Sequence, residues 1–149
     1  MNRSQAGLTL VELVITVAIT GIMASVLGTA IFQMVTVGEY GDARLIATHE
    51  LQNAAYWLNQ DGQTAVSAAV VGQALTLTMA DASEVTYSVV ARRLRRASSG
   101  PTLTMAQNIT AADFSVSGRV VTMDLTSAPQ GRTGVSEQGT YAVAMRAAP

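Results

Sequence analysis

The 149-residue chain contains no cysteine and no lysine; all nine basic residues are arginines. Without thiols no disulfide can staple a small domain, so whatever folds here stands on packing alone. Nothing physical demands the lack of lysine. Charge of either sign is sparse, at 13% of residues, with a formal net charge of −1 and a pI near 5.7. That balance implies no global attraction to nucleic acid. The single histidine, His49, has no cysteine or second histidine to join it in a zinc site or a nucleophile-base pair. Asp61, Asp81, Glu84, Asp113, Asp124 and Glu137 are scattered singly, without the spacing of a calcium loop. The composition therefore argues for a protein that is not an enzyme and uses no metal or cofactor.

What is abundant is apolar and lies near the start. From Leu8 to Val37 the only ionisable residue is Glu12, and about 18 apolar residues suffice for a membrane-spanning helix. Leu13 to Val37 as helix would run about 37 Å at ~1.5 Å per residue. A carboxylate near the start of such a helix costs a few kcal/mol to bury, roughly, so it marks function and requires a positive partner. No Lys, Arg or His lies within helical reach of it. A free α-amino group created by cleavage would serve.

The run Gly7-Leu8-Thr9-Leu10-Val11-Glu12-Leu13 resembles the processing site of type IV pilins and type II secretion pseudopilins. The resemblance implies that the leader, residues 1–7, is removed by a prepilin peptidase cutting between Gly7 and Leu8, and that Leu8 is then N-methylated. It also implies that Glu12 neutralises the N-terminal amine of a neighbouring subunit during filament assembly. Position 8 is Leu where Phe is commonest, a mild departure; the apolar run also lacks the midway proline of many major pilins, and this points to a minor pilin or pseudopilin. The disulfide-bounded C-terminal loop of many major pilins is also missing. Two plainer readings compete. A secretory signal peptide could end at Gly28-Thr29-Ala30, but the apolar run continues past it to Val37; a simple anchor leaves Glu12 unexplained. Arg3 before the run, with Glu39, Asp42 and Arg44 after it, gives a cytoplasmic N-terminus and an exported C-terminal part.

Residues 8–37 thus read as a transmembrane and filament-core helix, and 38–149 as one globular domain. Tyr40, Ala43, Ala47, Leu51, Ala54 and Leu58 recur at spacings of three and four, extending an amphipathic half over about 38–58. Gly62, after Asn59-Gln60-Asp61, is the expected glycine C-cap. From about 65 to 146 the period becomes two. Ala65 to Val71, Leu75 to Met79, Val85 to Val89, Arg92 to Arg96, a return through Leu103 and Met105, Phe114 to Ser117, Val121 to Leu125 and Tyr141 to Met145 read as strands, with a long loop at 126–139. The expectation is an α+β, pilin-like fold: a long helix against one antiparallel meander.

Arg92, Arg93, Arg95 and Arg96 form the one concentration of charge. It is a candidate patch for DNA or an acidic partner. The competing reading is a solvated edge strand that discourages edge pairing. No aromatics interleave to stack bases, and alternation splits the arginines between two faces. The resemblance to pilins and pseudopilins implies a filament subunit whose partners are other pilin or pseudopilin subunits, the prepilin peptidase, an inner-membrane assembly platform and, before assembly, membrane lipid. The alternative is a single-pass anchored binding module that does not polymerise, such as an adhesin or DNA-uptake receptor.

Overall fold

The computed structural model describes residues 9–131 and 134–147. They form one α-helix, α1 (Leu10–Thr64), followed by eight strands: β1 (Ala65–Val71), β2 (Ala74–Met79), β3 (Glu84–Val90), β4 (Arg93–Ala97), β5 (Leu103–Ala106), β6 (Ile109–Ser117), β7 (Val120–Ser127) and β8 (Glu137–Ala144). Two compact units divide the chain between Glu39 and Tyr40.

From Leu10 on, the described residues of the first unit are helix. Thr9 is its N-cap: the Thr9 carbonyl accepts from the Leu13 N–H at 3.1 Å and its Oγ1 from the Glu12 N–H at 3.3 Å, occupying donors that a helix start would otherwise leave open. Further along, hydroxyls are turned back onto the helix itself. Thr16 donates to the Glu12 carbonyl at 2.7 Å, Thr20 to Thr16 at 2.8 Å, Ser25 to Ile22 at 2.7 Å, Thr29 to Ser25 at 2.9 Å and Thr36 to Phe32 at 2.9 Å. Each hydroxyl is thus satisfied without water, as hydrocarbon surroundings require. Sixteen large apolar side chains between Leu10 and Val37 remain exposed. At about 1.5–3 kcal/mol per side chain, covering them is worth on the order of tens of kcal/mol. The segment is long and apolar enough to cross a membrane.

In the second unit the remaining helical residues lie against the two sheets. Ala47, Leu51, Ala54 and Leu58 are buried in the shared core, as their spacing predicts; Tyr40, at the head of the same stripe, is 47% exposed. The helix does not stop at Leu58. It continues through Thr64, and Gly62 is an interior helical residue rather than a C-cap. A Cβ on Gly62 would overlap Val143, so glycine here serves the close approach of β8 to the helix. Its sequence signature is the same in both roles.

The strands do not make one meander. They form a five-stranded sheet ordered β1-β2-β3-β4-β5 and a three-stranded sheet ordered β6-β7-β8, with all neighbouring pairs antiparallel. Leu75, Leu77, Val85, Tyr87 and Leu94 supply the first sheet's buried face, and Ile109, Phe114, Val121, Met123, Leu125 and Val143 the second's. Both faces meet the helix stripe, giving the helix-against-antiparallel-sheet arrangement of an α+β, pilin-like fold. The long loop expected at 126–139 is shorter than that: Thr126 and Ser127 extend β7, and β8 begins at Glu137. β6 likewise begins at Ile109, five residues before the expected Phe114.

Candidate processing and assembly site

Gly7 and Leu8, where processing is expected, lie outside the described residues. Two residues on, Thr9 opens the helix and places Glu12 at its third position, where the partial positive charge of unpaired N–H groups favours a carboxylate. Thr9-Leu10-Val11-Glu12 has the spacing of a capping box, and its threonine half is formed. Glu12 is exposed. Among the described residues no cation pairs with it. The local arrangement is therefore a solvent-facing carboxyl side chain, on a residue whose backbone N–H is capped by Thr9, near the start of a segment without other charge.

The four arginines are not gathered into a surface. β4 begins at Arg93, and it is an interior strand, between β3 and β5, rather than an edge. Arg92 sits in the β3–β4 turn, where Ala91 and Arg92 both have positive φ, 51° and 61°, the two-residue turn that suits a hairpin's twist and usually uses Asn or Gly. Its guanidinium donates to the Ala128 carbonyl. Arg93 is exposed and Arg95 half-buried. Arg96 shares the inward face with Leu94, and its fork closes on Asp61: Nε to Oδ2 at 2.6 Å and Nη2 to Oδ1 at 2.8 Å. Alternation along the strand separates Arg93 from Arg96 by face, as expected, but it does not reveal that one of them is an internal tie.

That tie is a four-residue cluster joining the helix to the first sheet. Asp61, at 6% exposure, also accepts from the buried Tyr87 hydroxyl, and the Arg96 guanidinium lies 5.2 Å from the Trp57 ring centroid. Burial, then the hydrogen bond to Asp61 and that residue's negative charge, push the Tyr87 phenol well above its ordinary range. The carboxylate's hydrogen bonds raise Arg96 as well, against the opposing effect of burial. A raised folded-state pKa contributes stability below the unfolded value and loses it as pH climbs above that value. Thermal melts should hold level up to about pH 10, the free tyrosine value, and then fall. Tyr87→Phe should flatten the part of that fall owed to the phenol, read from melting temperature against pH.

Asp61 was readable in principle. It continues the buried stripe Ala47, Leu51, Ala54, Leu58 at the next three-residue step, and a charge on a buried stripe demands a partner. The neighbouring Gly62 invites the helix-end reading that hides it. His49 is exposed on the helix; next to it Glu50 accepts from the Gln107 backbone N–H, and Asn53 donates to the Met105 carbonyl, so these helix side chains hold the β5–β6 connection.

Comparison with known proteins adds one match. Residues 2–28 fit the family model described as the prokaryotic N-terminal methylation motif, the prepilin-type signal of type IV pilins and pseudopilins. No curated protein and no solved structure matches the chain. The match covers the N-terminal signal and the first part of a helix that is long and apolar enough to cross a membrane.

Proposed function

We propose that the chain is a minor pilin or pseudopilin: it is inserted in the inner membrane with its N-terminus cytoplasmic, cut between Gly7 and Leu8, methylated on Leu8, and assembled through its apolar helix into a type IV pilus or secretion pseudopilus. The observation that carries this reading is the methylation motif leading directly into a helix whose first half has no buried residue. Lipid covers that surface before assembly, and neighbouring subunit helices cover it afterwards. Glu12 is left as the acceptor for a neighbouring N-terminal amine, since an unpaired carboxylate in the filament core would be costly. The assembly platform of the inner membrane would move the subunit from one environment to the other.

Intact mass and N-terminal sequencing of the protein from its native membrane test the first step. The expected chain begins at Leu8 and carries one extra methyl group. A chain beginning at Met1 would return the molecule to the non-polymerising anchor, and one beginning near Ile31 to an exported soluble domain.

A further inference from the structure

Four strands lie at sheet margins, and three are blunted. β1 is bulged between Ala65 and Ser67 and packs against β6. β5 has four residues and a register shift in its pairing with β4. β6 is bulged between Ile109 and Ala111. β8 differs: its register with β7 runs unbroken from Glu137 opposite Ser127 to Ala144 opposite Val120. It contains no proline, and no charge stands on its exposed face after Glu137. Edge strands left flat and uncharged are what proteins ordinarily avoid.

The direction of its free backbone groups follows from one bond. The Met145 N–H donates to the Arg119 carbonyl at 2.8 Å, which extends the ladder by one hydrogen-bonded pair. By alternation, residues 143, 141 and 139 face β7, and the N–H and C=O groups of Gln138, Thr140, Ala142 and Ala144 point away. The Arg146 N–H, next in that outward series, reaches the Ala65 carbonyl at 3.0 Å. Among the described residues the four before it have no backbone partner on that side. Their side chains leave the edge open: Thr140 donates to Asp124, and Gln138 to Thr126 at 3.3 Å, both back onto β7.

Beside this edge runs a groove of about 420 Å³ whose opposite wall is the helix, at Gln52, Tyr56 and Asn59. Tyr56 is 62% exposed, a large aromatic of the kind that anchors protein interfaces. No charged residue lines the groove. The Arg44–Glu137 pair, at 2.9 Å, closes on itself at the start of β8.

We propose that β8 is an acceptor edge for an uncharged, extended strand of another polypeptide, which adds to the second sheet and lies against Tyr56. Only an extended chain presents donors and acceptors at the spacing needed to satisfy alternate residues of an edge. The uncharged lining selects an uncharged strand, because a charge placed there would be desolvated without a partner. A second copy of this chain fits less well: its own β8 carries a helix wall of its own, which would enter the same space. The inference does not depend on polymerisation or on processing at Gly7.

The absence of cysteine allows a clean test. The full chain carrying Asn59→Cys, labelled with a benzophenone maleimide, is irradiated in its native cells, and adducts are mapped by mass spectrometry. The expected product joins residue 59 to an uncharged extended stretch of a different polypeptide. In an Ala142→Pro background, which removes one outward N–H where an edge tolerates proline, its sub-saturating yield should drop about tenfold, equivalent to about 1.4 kcal/mol. Ala142→Lys, which keeps the backbone and adds an edge charge, should give a similar drop, with both variants melting within about two degrees of the parent, as surface changes do. An adduct only to a second copy of this chain, an adduct insensitive to both variants, or none would overturn the proposal.

Discussion

Replacing Asp61 with alanine should destabilise the folded domain by about 3–5 kcal/mol, the usual cost of removing one partner from a buried ion pair. The Asp61 and Arg96 side chains are only 8% and 15% exposed. Removing the carboxylate leaves the guanidinium beside Trp57 and Tyr87 without its anion, and the Tyr87 hydroxyl without its acceptor. A domain of this size has about 5–15 kcal/mol of total stability, so the variant should be largely unfolded at modest denaturant. Urea titration of the full chain in detergent micelles gives the number. Asp61→Leu combined with Arg96→Met should recover most of the loss, because well-packed apolar replacements of a buried pair are often neutral or better. If the double variant were as unstable as the single one, the ion pair would be contributing through geometry that apolar packing cannot replace.

Glu12→Ala should reduce incorporation into filaments by more than about a hundredfold, since an unpaired buried charge costs about 3–5 kcal/mol and each 1.4 kcal/mol is tenfold. Membrane insertion and removal of the leader should be unchanged. The effect on the helix itself is small: a carboxylate in the first turn contributes only about 0.3–1 kcal/mol through the helix dipole, and Thr9 retains its cap. Quantifying sheared filaments against membrane-bound subunit separates the two readings. Glu12→Gln, which keeps the shape and hydrogen-bonding capacity, should fall nearly as far, because the proposed partner is a charged amine. Unaltered incorporation in both variants would leave Glu12 without an assembly role.

The two halves of the molecule differ in how far residue order alone reveals them. An apolar segment of membrane length declares itself through composition, so the span from Leu8 to Val37 and the isolated Glu12 are legible in residue order alone. The buried stripe through Leu51 and Leu58 and the alternation of β2 and β3 were equally plain, because burial on one side of an element imposes its period. Residue order at Gly62 does not separate its two roles, because helix ends and close approaches both select glycine. The arginines of β4 suggest a solvated edge, whereas Arg96 is held by Asp61 from 35 residues away in the chain. The division into two sheets was likewise illegible: nothing at Gln107 or Asn108 distinguishes a change of sheet from another hairpin turn.

Local and one-dimensional properties were therefore determined by the sequence by itself: the processing signal, the membrane-length helix, the single charge within it and the alternating strands. Each depends on residue type and spacing along one element, and the solvent on either side of that element sets the pattern. Tertiary structure alone decided which polar groups meet. The closing of Arg96 and Tyr87 on Asp61, the seating of Val143 over Gly62 and the unpaired outer edge of β8 all depend on which strand lies beside which. Pairing of that kind is chosen by the whole core at once, because a strand's own pattern names its buried face but not its neighbour.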